Sequence, residues 1–90
     1  MNIRDLPIDT LLIQLAEESA ELSQAALKYL RVIRAETPVT EQEARTHLIE
    51  EIADVSVCMT AINQTAPAAE VGEIIIQKAK RWEDRLNGKG

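Results

Sequence analysis

Three observations predict an all-α chain. Two stretches run free of proline and glycine, and a third is interrupted by Gly72 alone; the prolines stand at 7, 38 and 67, the glycines at 72, 88 and 90. Within these stretches apolar residues recur at steps of three and four, the helical period. Alternating strand patterns and hairpin turn signals are absent from the sequence. The 90 residues amount to one domain, 1–90, without repeat or linker. The expected architecture is an antiparallel helical bundle of about three helices per chain, completed by oligomerisation, because so short a domain buries only about 60–65% of its unfolded surface.

The first helix is predicted from about Asp9 to Ala35, with Asp5 and Asp9 as competing N-caps around Pro7. Its stripe is Leu11, Leu15, Leu22, Ala25, Tyr29 and Ile33. Pro38 breaks it, since proline disfavours helical geometry at the residue before it. Thr40-Glu41-Gln42-Glu43 reads as a capping box that opens a second helix. Ala44, Leu48, Val55, Met59 and Ile62 keep the period until Asn63-Gln64-Thr65. The third helix starts at Pro67, a residue suited to a first helical turn, and runs to about Leu86 before Asn87-Gly88. Ile74-Ile75-Ile76 spreads apolar surface around most of one turn, more than a single buried stripe needs. That surplus suggests an oligomer interface.

Composition narrows the function. Aromatics are one Tyr and one Trp, too few for a base-stacking surface. The net charge of −5 has the wrong sign for a general nucleic-acid binder. Cys58 is the single cysteine, so neither an internal disulfide nor a zinc framework is expected. The sequence has neither a signal-peptide pattern nor an apolar run of about 18 residues, so the expectation is a cytoplasmic protein with no membrane partner.

The informative feature is where the acids sit. On the first helix Glu18 projects within the apolar stripe and Glu21 lies at its edge, while Glu17 faces further outward. On the second, Glu51 lies inside the stripe and Asp54 at its edge, with Glu50 more peripheral. In an antiparallel pair, facing positions have a roughly constant sum of residue numbers. Glu18 with Asp54 and Glu21 with Glu51 share one sum, whose midpoint falls close to the Pro38 loop. Four carboxylates then converge at one level. Uncompensated, each costs several kcal/mol of desolvation plus mutual repulsion. A hard divalent cation resolves the conflict, and all-oxygen ligation suits Mg²⁺, Mn²⁺ or Ca²⁺.

Glu17-Glu18-Ser19-Ala20-Glu21 and Glu51-Ile52-Ala53-Asp54 resemble the E-E-x-x-E and E-x-x-D motifs of the MazG-like all-α nucleotide pyrophosphohydrolases, the short phage-type members above all. Gln14-Leu15, Lys28 to Arg31 and Glu50 to Val55 extend the likeness, which spans roughly Leu11 to Ile62. The resemblance implies Mg²⁺-dependent hydrolysis of a nucleoside triphosphate to the monophosphate and pyrophosphate, of the kind that clears non-standard or excess nucleotides, with Mn²⁺ as a possible substitute. It places Glu18, Glu21, Glu51 and Asp54 as metal ligands and gives Glu17 a role in orienting or deprotonating water. A homo-oligomer, dimer or tetramer, is the expected assembly.

Eight of the ten basic residues lie in two clusters, Lys28, Arg31 and Arg34, then Lys78, Lys80, Arg81, Arg85 and Lys89. Lys28, Arg31, Lys78 and Arg81 are the candidate phosphate contacts, though the family's basic motif in the last helix is not cleanly reproduced. Arg34, Arg85 and Lys89 suit the simpler role of complementing a helix C-terminus. His47, four residues before Glu51, is read first as covering the helix surface and second as supporting Glu51; Cys58 and Trp82 are read as packing residues. Two other readings compete. A di-iron carboxylate bundle needs Glu-x-x-His pairs, which this chain lacks. A non-catalytic metal- or nucleotide-binding module would keep the fold without turnover.

Overall fold

The computed structural model describes residues 1–88 and is all-helical: a 3₁₀ turn at Ile3–Asp5, then α1 (Ile8–Ile33), α2 (Glu41–Ala61) and α3 (Ala68–Leu86). Among the described residues there is no strand, and no helix is long and apolar enough to cross a membrane. Lys89 lies outside the described residues.

Asp5 does not cap α1. Its carboxylate accepts from the Asn2 backbone N–H at 3.0 Å while Asn2 Oδ1 accepts from Arg4 N–H at 2.9 Å, a reciprocal box around the 3₁₀ turn. Pro7 stands at the N-cap of α1, and Asp9 accepts only from Thr10 N–H at 2.8 Å. α2 opens with Thr40 Oγ1 accepting from Glu43 N–H at 3.2 Å; the return half of the expected box is not formed.

α1 stops two residues before the expected Ala35. Ala35 adopts φ +56°, and the amides of Ala35 and Glu36 reach back to the carbonyls of Val32 (3.0 Å) and Arg31 (2.9 Å). This double bond is the Schellman ending, which normally places glycine at the left-handed position. Ala35→Gly relieves the Cβ crowding there, and the expected result is a gain of about 0.5–1 kcal/mol, seen as a higher melting temperature.

α1 and α2 pack antiparallel. Their register is marked at one end by Leu11 against Ala61 and Ile62, and at the other by Tyr29, whose hydroxyl donates to Glu41 at 3.1 Å. Ala25 and Ala44 are fully buried between these ends. Two stripe residues depart from expectation: Ile33 sits past the end of the paired region at 67% exposure, and Met59 turns outward at 46%. The expected all-α architecture of three helices is present, with the packing within the chain concentrated in two of them. α3 makes no extensive contact with the pair and contains no buried residue. It follows α2 through a short turn in which Asn63 Oδ1 accepts from Ala68 N–H at 2.9 Å. The described chain is therefore flat, 43 × 40 × 17 Å, with α1–α2 as its packed unit.

Candidate metal centre

The α1–α2 register brings three carboxylates together. One ligand oxygen from each of Glu18, Glu51 and Asp54 lies within 4.8 Å of the others. Seven residues toward one end of the pair stand Leu11 and Ala61, and seven toward the other stand Ala25 and Ala44. All four are buried. Since seven residues are about two helical turns, each of these apolar positions shares its carboxylate's side of the helix. The acids are thus carried at a level bracketed by tight packing, and water cannot reach them freely from every side.

Burial is uneven within the cluster. Glu51 is buried at 8% exposure, Glu18 is half-buried and Asp54 is exposed. Glu51 Oε1 lies 3.3 Å from His47 Nε2, while Oε2 is buried without a hydrogen-bond partner. Glu18 repeats the pattern: Gln14 Nε2 donates to Oε1 at 2.8 Å, and Oε2 is buried and unpartnered. Each glutamate is held by one oxygen and leaves the other free. Buried carboxylate oxygens without donors are costly, and a cation held between them would offset that cost.

The Glu18 carboxyl is pushed above the usual glutamate range by partial burial, then by the charges of Glu21 and Asp54; the Gln14 hydrogen bond offsets this in part. The sign for stability follows. Between the unfolded and folded values the folded chain holds a proton that the unfolded chain has lost, so this group's contribution falls as pH rises through that window. The metal-free protein is expected to melt higher at mildly acidic pH than at neutral pH, with Glu18→Gln flattening that slope in thermal melts across pH. Cys58, buried one turn beyond Asp54, has its thiol pushed up by burial and by the Glu18 and Asp54 charges; such a thiol stays protonated and inert at neutral pH.

The remaining predicted site residues are distributed more widely. Glu21 is exposed and acts on Glu18 as a neighbouring charge, outside the three-carboxylate group. Glu17 is exposed. Lys28 is half-buried two turns beyond Glu21, about 10 Å along α1, and Arg31 is exposed one turn further. Lys78 and Arg81 are exposed on α3, the helix that stands off the pair. Among the described residues the side-chain contacts between acids and bases are His47–Glu51 and Lys80–Asp84, so Lys28, Arg31, Lys78 and Arg81 hold none.

Two supporting residues emerge from the geometry. Gln14 had no assigned role, although its i, i+4 spacing to Glu18 was the available signal. His47 contacts Glu51, which favours the second of its two readings. A groove of about 640 Å³ lies elsewhere: it is lined by residues such as Met59 of α2, Asn63 of the following turn and Ile75 of α3, and by none of the carboxylates. Comparison with protein-family models, curated proteins and solved structures finds no match, so the reading of this site rests on the chain's own residues.

Proposed function

We propose that this chain is a divalent-metal-dependent nucleotide pyrophosphohydrolase, splitting the α–β phosphoanhydride of a nucleoside triphosphate to give a monophosphate and pyrophosphate. The observation that carries the reading is that one carboxylate oxygen from each of Glu18, Glu51 and Asp54 lies within 4.8 Å of the others, while Glu18 and Glu51 each keep a buried oxygen without a hydrogen-bond partner. An all-carboxylate donor set suits a hard cation, Mg²⁺ first and Mn²⁺ second. Glu18, Glu51 and Asp54 would hold it, with Glu21 adding charge at the rim. When bound, such a cation would supply positive charge against the phosphate oxygens and favour ionisation of the attacking water.

The chain's other residues set the orientation of the substrate. Lys28 and Arg31 continue the cluster's helix toward its C-terminus and offer a track for phosphate oxygens in an otherwise repulsive acidic field. Lys78 and Arg81 reach that track only if α3, from this chain or another copy, is brought beside it. Glu17, exposed next to Glu18, would accept a proton from the attacking water. In the reaction the water oxygen bonds to the α-phosphorus, and the bond to the bridging oxygen breaks with pyrophosphate as leaving group.

The test is pyrophosphate release across a panel of standard and modified nucleoside triphosphates, with Mg²⁺, Mn²⁺ or chelator. Metal-dependent release from one or a few of them is the expected result, and Glu17→Gln should lower turnover without changing metal affinity. Absence of both release and any Mg²⁺-induced thermal shift overturns the reading. The groove between α2 and α3 is lined by none of the carboxylates, which favours a second reading as a binding module. Calorimetry showing Mg²⁺-dependent nucleotide binding without product would select it.

A further inference from the structure

α3 carries an apolar seam that no other part of the described chain covers. Ala68, Gly72, Ile75, Ala79, Trp82 and Leu86 succeed one another at alternating steps of four and three, the spacing of a heptad seam. Ile75 is 57% exposed, Trp82 63% and Leu86 74%. Residue size along the seam is graded: Ala68 and Gly72 occupy the first half, Trp82 and Leu86 the second, with Ile75 and Ala79 at the centre.

That grading makes the seam complementary to itself reversed. When a second copy is turned end for end about Gln77, Ala68 faces Leu86, Gly72 faces Trp82 and Ile75 faces Ala79. Every contact then sets a large side chain against a small one, as close packing requires. Parallel alignment sets Trp82 on Trp82 and Gly72 on Gly72, crowding one level and leaving a void at another. Charge selects the same direction. The first half carries Glu70 and Glu73, whereas in the second Lys78, Lys80, Arg81 and Arg85 outweigh Glu83 and Asp84. Reversal brings the acidic half of each helix beside the basic half of the other.

The groove supplies an independent fit. Its 640 Å³ lie between α2, with Met59 and Thr60, the turn at Asn63, and the first half of α3, with Ala68, Gly72 and Ile75. Of these, Ala68 and Gly72 are the positions that the reversed register sets opposite the large Leu86 and Trp82 of a second copy. We propose that this chain self-associates through an antiparallel α3–α3 contact, Trp82 and Leu86 of each copy seated in the α2–α3 groove of the other. The proposal does not depend on the metal centre or on the proposed activity.

Gly72 makes it testable without unfolding the chain. A Cβ added at Gly72 meets nothing within 4 Å, and leucine is the better helix former in mid-helix. Gly72→Leu therefore suits the isolated chain and clashes only with Trp82 of the second copy. Sedimentation of the full chain over a concentration series should show a dimer or larger assembly. The emission of Trp82, the single tryptophan, should shift to the blue as the assembly forms. Gly72→Leu should weaken association at least about tenfold at unchanged helicity, through overpacking at two symmetric contacts. Trp82→Ala should weaken it as well. The double variant Gly72→Leu with Trp82→Ala should recover much of the loss, since Leu then meets Ala in the same register. A wild-type monomer at all concentrations, an assembly indifferent to Gly72→Leu, or a double variant no tighter than the weaker single variant each overturns the proposal.

Discussion

Replacing Glu51 with Gln is expected to raise the melting temperature of the metal-free protein while removing its response to Mg²⁺ and its hydrolytic activity. Glu51 is buried at 8% exposure with Oε2 unpartnered, close to Glu18 and Asp54. Gln has the same shape and no charge, so one substitution ends the like-charge repulsion within the 4.8 Å group and removes the cost of burying an unpartnered carboxylate oxygen. A gain of about 1–2 kcal/mol follows from the usual cost of an unsatisfied buried polar atom, and for a domain of this size each kcal/mol moves the melting temperature by about 4–8 °C.

The functional loss runs the opposite way. Altering a residue that merely orients a metal ligand typically costs 10–100-fold in affinity or activity. Loss of a direct ligand oxygen should therefore cost at least about 100-fold. Asp54→Asn should match this loss with little stability gain, because Asp54 is exposed and already solvated. Thermal melts with and without Mg²⁺, beside pyrophosphate release, check both halves. A Glu51→Gln protein that still stabilises on adding Mg²⁺ would place the metal elsewhere. A lower metal-free melting temperature would show that Glu51 is retained for its contact with His47.

The opposed signs explain why the site was partly legible in the sequence. A glutamate inside an apolar stripe is a local conflict, and conflicts of that kind mark function. The helical period exposed the conflict at Glu18 and Glu51, and the constant sum of facing positions placed Glu18 level with Asp54. The finer grouping was out of reach. Glu18 meets both Glu51 and Asp54 because residues three apart on α2 are neighbours on its surface, whereas pairing by sums alone assigned Glu51 to Glu21. Which carboxylate is most buried depends on side chains from the other helix and on His47, and no single-helix projection contains them.

The fold shows the same division. Breakers and periodicity located all three helices, yet the ending at Ala35 escaped because the left-handed position carries alanine instead of glycine. The stand-off of α3 escaped for a broader reason. An amphipathic stripe states that a helix will be covered but does not name the covering surface. The apolar surplus at Ile74-Ile75-Ile76 points to an interface with another chain, but nothing in it states how little of α3 the α1–α2 pair covers. Met59, about 40° from the centre of its predicted stripe, turns outward for a related reason: α2 presents apolar surface on two sides, and only the α1 side is covered within the chain.

Packing at Ala25 and Ala44 should control the metal centre from two turns away. Both are fully buried in the α1–α2 pair, where a methyl group is all the seam accepts. Leucine at either position adds three carbon atoms where neither helix has room, and the two must separate or tilt. The expected cost is about 1–3 kcal/mol for each substitution, a fall of about 4–8 °C in melting temperature per kcal/mol. Separation has a second consequence. Glu18 reaches Glu51 and Asp54 across the same seam, so a wider seam draws the ligand oxygens beyond their 4.8 Å grouping. Mg²⁺ affinity should then fall at least about tenfold at temperatures where the variant remains folded, since bound Mg²⁺ tolerates little departure from ideal geometry. Ala26→Leu, at an exposed neighbouring position, is the control and should change neither property. Circular dichroism melts and calorimetric Mg²⁺ titrations separate the two effects. If Ala25→Leu and Ala44→Leu lower stability but leave Mg²⁺ affinity intact, the spacing of the carboxylates is set locally, by Gln14 and His47, and not by the closeness of the helices.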